Sequence, residues 1–330
     1  MIYFAFVFMM YSLPYKTKQF FFVLIKLSVV VVAFYFIYQK LTNNSELHFS
    51  VFIDFLTKND IFSTKNIISL LTLSFFNWFF EITKWKSLVI PFKKITFKNA
   101  TEQSLGSLTA SLFTPNRIGE YGAKAIYYTS NYRKRIMLIN LISNLLQMSI
   151  TVLMGVIGLN VFISNYSIDI NLSNFFTMLI ISIVLITLIT FGIKKSKLTI
   201  KGLSFEKIKD FILDFPKNKI VLGWLLSLLR YALFSFQFYF LLIVFKTEIT
   251  YLNAMTGITS MYLLASIIPS IFIFDVVIKG SIAVYLFAFL GINELTILSI
   301  ITIMWLLNFV LPSIFGSYYV LNFRLPKNDN

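Results

Sequence analysis

Two short polar strings interrupt stretches that are otherwise apolar enough to enter a bilayer: Pro115-Asn116-Arg117-Ile118-Gly119-Glu120 followed by Lys124, and Pro269 followed by Asp275 and Lys279. Ionisable side chains at membrane depth are costly unless paired or wetted, so each string reads as a working part. Within each, the acid and the lysine stand four residues apart, so Glu120 with Lys124 and Asp275 with Lys279 share a helical face and can neutralise each other. Arg117 is left over once Glu120 is matched with Lys124. Its planar guanidinium, beside Pro115 and the glycines at 119 and 122, suits a phosphate held through two parallel hydrogen bonds. A half-helix beginning near Gly119 would turn its first N–H groups toward the same anion. A lipid phosphate is the simplest anion to find there.

The candidate substrate contacts are therefore Arg117, Glu120, Lys124, Asp275 and Lys279, joined by Arg230, which lies ten residues into an apolar span, deeper than a snorkelling side chain reaches. Pro115, Gly119, Gly122, Pro269 and Gly280 are the expected structural residues of the hairpin tips. A structural reading of the same residues stays open: internal ion pairs that let a hairpin rest in the membrane, with Arg117 reaching the headgroups. Repetition of the acid and lysine pair in both halves favours the functional one. Glu81 and Lys84 read as a pair at the membrane interface. The absence of cysteine excludes disulfides, thiolate zinc sites and cysteine nucleophiles. His48, the single histidine, falls in a loop and reads as a surface residue. Asp54, Asp60, Asp210 and Asp214 are scattered, with no D-x-D or D-D pair, so no catalytic residue, metal site or cofactor is expected.

The elements that must position these residues are membrane helices. Hydrophobic residues make up 58% of the 330, charged residues 13%, and mean hydropathy is +0.80, whereas a soluble domain carries about 25% charged residues. The excess of 29 lysines and arginines over 14 acids, a net +15, would suggest nucleic acid in a soluble protein. Here the lysines lie mostly between apolar runs, which is the positive-inside pattern plus attraction to anionic headgroups, and no nucleic-acid partner is expected.

About 20 apolar residues cross the hydrocarbon core, which predicts six spans at 20–38, 66–83, 136–163, 175–193, 220–245 and 295–323. The stretches 100–130 and 250–290 are long enough to enter the membrane, but Pro115 and Pro269 should split each into two half-helices. Both read as re-entrant hairpins that return to the side they came from. With both termini cytoplasmic, the basic segments Lys84 to Lys98, Arg133 to Arg135, Lys194 to Lys219 and Arg324 to Lys327 fall inside, and the loops with Asp169 and Glu294 fall outside. An internal repeat follows the same order. Trp78, Lys84 and Trp85 precede a broken stretch and a span, as do Trp224, Arg230 and Tyr231. Halves of about 20–163 and 175–323, each with three crossings, place the second upside down, an inverted repeat of the transporter kind. Residues 1–330 thus read as a single all-α polytopic membrane domain. The first fifteen residues have no basic n-region and no small-residue cleavage site, so a removable signal peptide is not expected.

The string Leu112-Phe113-Thr114-Pro115-Asn116-Arg117-Ile118-Gly119-Glu120-Tyr121-Gly122-Ala123-Lys124 resembles the P-x-R-x-G-E signature of the lysylphosphatidylglycerol synthase transmembrane region, also called the flippase-like family. Ile268-Pro269-Ser270 through Asp275 and Lys279-Gly280, followed by a final long span, resembles that family's second landmark. Family members often have a glycine-rich turn and a glutamate where this chain has Ile271-Phe272-Ile273-Phe274-Asp275. The resemblance runs from about Phe20 to Phe323 and implies the membrane part alone, without the soluble lysyltransferase domain of the full synthases. It implies a lipid translocase for a phospholipid or polyisoprenyl-phosphate-linked lipid in the inner (cytoplasmic) membrane of a bacterium. The partners implied are membrane lipids with an anionic or phosphate-bearing headgroup, with a homodimer left open. The alternatives are a membrane-embedded lipid transferase or glycolipid-assembly enzyme, and a non-transporting scaffold that docks a partner on its basic loop 194–219.

Overall fold

The computed structural model of the protein describes residues 31, 54, 57, 58, 61, 63–112, 114, 118–166, 205–267 and 275–326, with the side chains of 205 and 275–278 excepted. The expected spans at 20–38 (residue 31 apart) and 175–193, Pro115, Arg117, Pro269 and the Asp275 side chain lie outside the described residues.

Every regular element among the described residues is helical. In chain order these are α1 (Thr64–Val89), α2 (Phe97–Ser111), α3 (Gly119–Ala125), α4 (Ser130–Tyr166), α5 (Phe205–Leu213), α6 (Lys217–Val244), α7 (Tyr251–Ile267), α8 (Asp275–Phe289), α9 (Glu294–Trp305) and α10 (Leu311–Asn322). A π-helical turn, Leu306–Val310, joins α9 to α10. Four rods are long and apolar enough to cross a membrane: α1 with 26 residues, α4 with 37, α6 with 28, and α9 through α10 with 29. At a rise of about 1.5 Å per residue each exceeds a hydrocarbon core of roughly 30 Å. They coincide with four of the expected spans, those at 66–83, 136–163, 220–245 and 295–323.

The two stretches that carry Pro115 and Pro269 each hold one helix before the proline and one after it, α2 with α3 and α7 with α8. Thr114 staples the first break. Its Oγ1 donates to the Ser111 carbonyl at 2.7 Å and accepts the Gly119 N–H at 3.0 Å, so protein satisfies backbone groups that lipid would leave bare.

The rods α1 and α6 pack antiparallel. Leu70, Asn77 and Leu88 of α1 meet Gln237, Arg230 and Gly223 of α6 respectively, in reversed order along the chain. Gly155 and Gly158 of α4 lie against Leu263 and Thr259 of α7, and Gly316 of α10 lies against Leu105 and Thr109 of α2. A Cβ on Gly158 would strike the Thr259 hydroxyl, and one on Gly316 would strike the Leu105 carbonyl and Thr109 Oγ1. Small residues are what bring backbones this close between membrane helices. Each first arm, α2 or α7, therefore packs on the last rod of the other half of the chain. Phe162, Phe238, Ile258, Met261, Phe287 and Ile300 form the core where α4 and α6 to α9 converge. A second core gathers Trp85, Leu88, Ile136 and Ile139 with Phe215.

Candidate functional site

On α1, Asn77, Glu81 and Lys84 follow at the spacing of one helical face. That face is turned inward, leaving Glu81 8% and Lys84 1% exposed. Glu81 Oε2 accepts from Lys84 Nζ at 2.8 Å and from Arg230 Nη1 of α6, also at 2.8 Å. Arg230 further donates through Nε to Asn77 Oδ1 at 3.0 Å and through Nη1 to Gln147 Oε1 of α4 at 3.4 Å. The expected pairing of Glu81 with Lys84 is thus present, within the helix packing and shared with Arg230. Although Lys84 stands near the end of an apolar run, α4 and α6 pack over its face, and its neighbour Trp85 is fully buried.

Lys124 forms the second centre. Its Nζ lies 2.7 Å from Glu120 Oε1, donates to Asn140 Oδ1 at 2.9 Å and sits 4.1 Å from the centroid of the Trp85 ring. Carboxylate, amide oxygen and aromatic face together replace the water that this ammonium has lost, and its side chain is 1% exposed. Trp85 is held in turn by Gln103 Oε1, which accepts from Trp85 Nε1 and from the Tyr128 hydroxyl, each at 2.8 Å. Because Lys84 and Trp85 are consecutive, the two charged centres adjoin.

A chain of amides extends the network. Asn77 Nδ2 donates to Asn308 Oδ1 at 2.7 Å, Asn308 Nδ2 to Gln237 Oε1 at 2.9 Å, and Gln237 Nε2 to the Leu70 carbonyl at 3.1 Å. Pro312 explains why Asn308 sits on a π-helical turn. Proline has no N–H, so the carbonyls of Asn308 and Leu307, four and five residues before it, receive none from that position. Trp78 Nε1 donates to the Asn308 carbonyl at 3.1 Å and Ser74 Oγ to the Leu307 carbonyl at 2.7 Å, filling both.

Of the residues singled out in the sequence, Glu120, Lys124 and Arg230 enter this single buried region. Lys279 lies on α8 with Nζ 5.9 Å from the Phe309 ring, beside the π-helical turn. The Gly119 N–H, expected to face an anion, is taken by Thr114. A Cβ on Gly122 would meet nothing within 4 Å, so packing does not require glycine there, and Gly280 is buried. Arg117, Pro115, Pro269 and the Asp275 side chain are outside the described residues. Sequence reasoning overlooked Asn77, Asn140, Gln147, Gln237 and Asn308, though a carboxamide inside an apolar run carries its own signal: in a dry helix it must find a partner.

Among the described residues, the site sets three cations, Lys84, Lys124 and Arg230, against the carboxylates Glu81 and Glu120. Arg230, with its side chain 22% exposed, is the most accessible of the three cations. The chemistry within reach is the binding of anions by donors already oriented. No protein-family model and no curated protein matches the chain.

Proposed function

We propose that the chain is a flippase-like lipid translocase that carries a phospholipid or a polyisoprenyl-phosphate-linked lipid between leaflets, as its resemblance to the lysylphosphatidylglycerol synthase transmembrane region implies. The observation that carries this reading is Glu81, bonded at once to Lys84 of α1 and Arg230 of α6 inside two rods long enough to span a membrane. Buried ion pairs add little net stability compared with apolar packing of the same volume. Intramembrane charges that persist are therefore good candidates for a substrate pathway.

Two packing relations support an inverted repeat. Each half runs as rod, arm, arm, rod, and the first arm of each half packs on the last rod of the other. The first rods, α1 and α6, are counterparts and run antiparallel. A twofold axis relating antiparallel membrane helices lies in the plane of the membrane, which is the symmetry of many secondary transporters. In this reading, 20–38 and 175–193 supply two further spans and the broken arms are re-entrant. The headgroup phosphate engages Arg117 and Arg230, the acid and lysine pairs flank it, and the lipid tails stay in the bilayer.

The test is exchange of fluorescent phospholipids between leaflets of vesicles containing the purified protein. Wild type should exchange them, and Arg117→Ala and Glu120→Gln, checked for intact fold, should be slower by about tenfold or more, the factor carried by about 1.4 kcal/mol. Absence of exchange across anionic, zwitterionic and polyisoprenyl-phosphate lipids would overturn the proposal.

A further inference from the structure

On α4, Asn140, Ser143 and Gln147 share one helical face and span about 10 Å along the axis at 1.5 Å per residue. Charge marks both ends of this stripe. Asn140 Oδ1 takes a hydrogen bond from Lys124, and Gln147 Oε1 takes one from Arg230. Lys84 lies between them, since it shares the Glu81 oxygen with Arg230 and directly precedes Trp85, whose ring faces Lys124.

Two residues of the stripe, Asn140 at one end and Ser143 next to it, hold donors left over among the described residues. Asn140 and Ser143 are both 0% exposed, and neither Asn140 Nδ2 nor Ser143 Oγ has a hydrogen-bond partner among the described residues. The orientation of the Asn140 amide follows from Lys124, which can only donate and so claims the oxygen, leaving the NH2 group to find its own acceptor. Orphaned polar groups this deep call for a partner that the described residues do not supply. An NH2 and a hydroxyl beside Lys84, Lys124 and Arg230, which outnumber the carboxylates Glu81 and Glu120 by one, match an acceptor-rich anion and mismatch both a metal ion and an acyl tail.

We infer that the seam between α1, α3 and α4 is an anion subsite in which Asn140 and Ser143 are the neutral donors and Lys124, Lys84 and Arg230 the charges, and that it takes a phosphoryl group. The assignment of that phosphate to a lipid rests on the translocase reading; the donor chemistry is the same for a headgroup and for free phosphate.

Full-length protein in detergent is titrated with inorganic phosphate, and in parallel reconstituted in vesicles of phosphatidylglycerol or of an uncharged glycolipid, with thermal unfolding as the readout. Wild type should be stabilised by phosphate or by phosphatidylglycerol, and not by the glycolipid. A response to phosphatidylglycerol alone assigns the lipid headgroup, and a response to phosphate in detergent assigns a free anion. Asn140→Asp keeps the acceptor for Lys124 but exchanges the donors for a negative charge, and Ser143→Ala removes a hydroxyl with almost no change of shape. A tenfold or greater rise in half-saturation in either variant, with helical content unchanged, supports the subsite. Both variants responding like wild type, or a wild type that responds to neither phosphate source, overturns it. Leaflet exchange keeps the two ideas apart. Exchange with undiminished phosphate binding in both variants removes the subsite alone, whereas binding lost in the variants without exchange in wild type removes the translocase alone.

Discussion

Glu81 Oε2 accepts from both Lys84 and Arg230, so loss of this carboxylate strands a buried ammonium and takes a partner from a half-buried guanidinium as well. Breaking a buried ion pair from one side costs about 3–5 kcal/mol. Glu81→Gln is expected to destabilise by about that amount in thermal unfolding, while Arg230→Met, which leaves Glu81 paired with Lys84, should cost less. Equal losses in the two variants would mean that the carboxylate is not shared. At this scale the charged residues were legible because an ionisable group in an apolar run is expensive wherever it lies. Their partners were less so. Nothing local to Asn77 announces that its amide joins Arg230, 153 positions away, to Asn308, 231 positions away.

Glycine seams decide how the rods sit against one another. Gly316→Val drives a side chain into the Leu105 carbonyl and Thr109, and Gly158→Val drives one into Thr259. Each should destabilise by about 1–3 kcal/mol or more, the range for overpacking. Gly122→Ala meets open space within a short helix, and should be neutral or stabilising by up to about 1 kcal/mol. Unfolding midpoints in detergent check all three, and a Gly316→Val variant as stable as Gly122→Ala would refute the close α2 to α10 packing. The break between α2 and α3 was readable from Pro115, since proline interrupts a helix through its own ring and missing donor, whereas residues 268–274 around Pro269 lie outside the described residues. Pro312 obeys the same rule but leaves the rod continuous, because a π-helical turn absorbs the defect and two side chains of α1 cap the freed carbonyls.

For the molecule as a whole, direction across the bilayer is the property that an inverted repeat demands. The chain has no cysteine, so single cysteines can be introduced without background. Lys93 follows α1 and Glu248 follows α6, and both are exposed. Lys93→Cys and Glu248→Cys should react with a membrane-impermeant reagent from opposite faces of sealed vesicles, with Lys93 on the cytoplasmic side. Labelling of both from one face would rule out the upside-down arrangement, whatever the lipid-exchange result.

The sequence by itself determined that the chain is helical and apolar enough for a membrane, and where four of its long rods lie. Run length and hydropathy are additive along a chain and need no partner to be read. Which buried charges answer which was decided only by tertiary structure, because helical spacing predicts pairs on one rod, such as Glu120 with Lys124, and is silent across rods. Lys84 illustrates the difference. Beside Trp85, at the end of an apolar run, it has the local signature of an interface, and only the packing of α4 and α6 over it makes it part of a buried ionic centre.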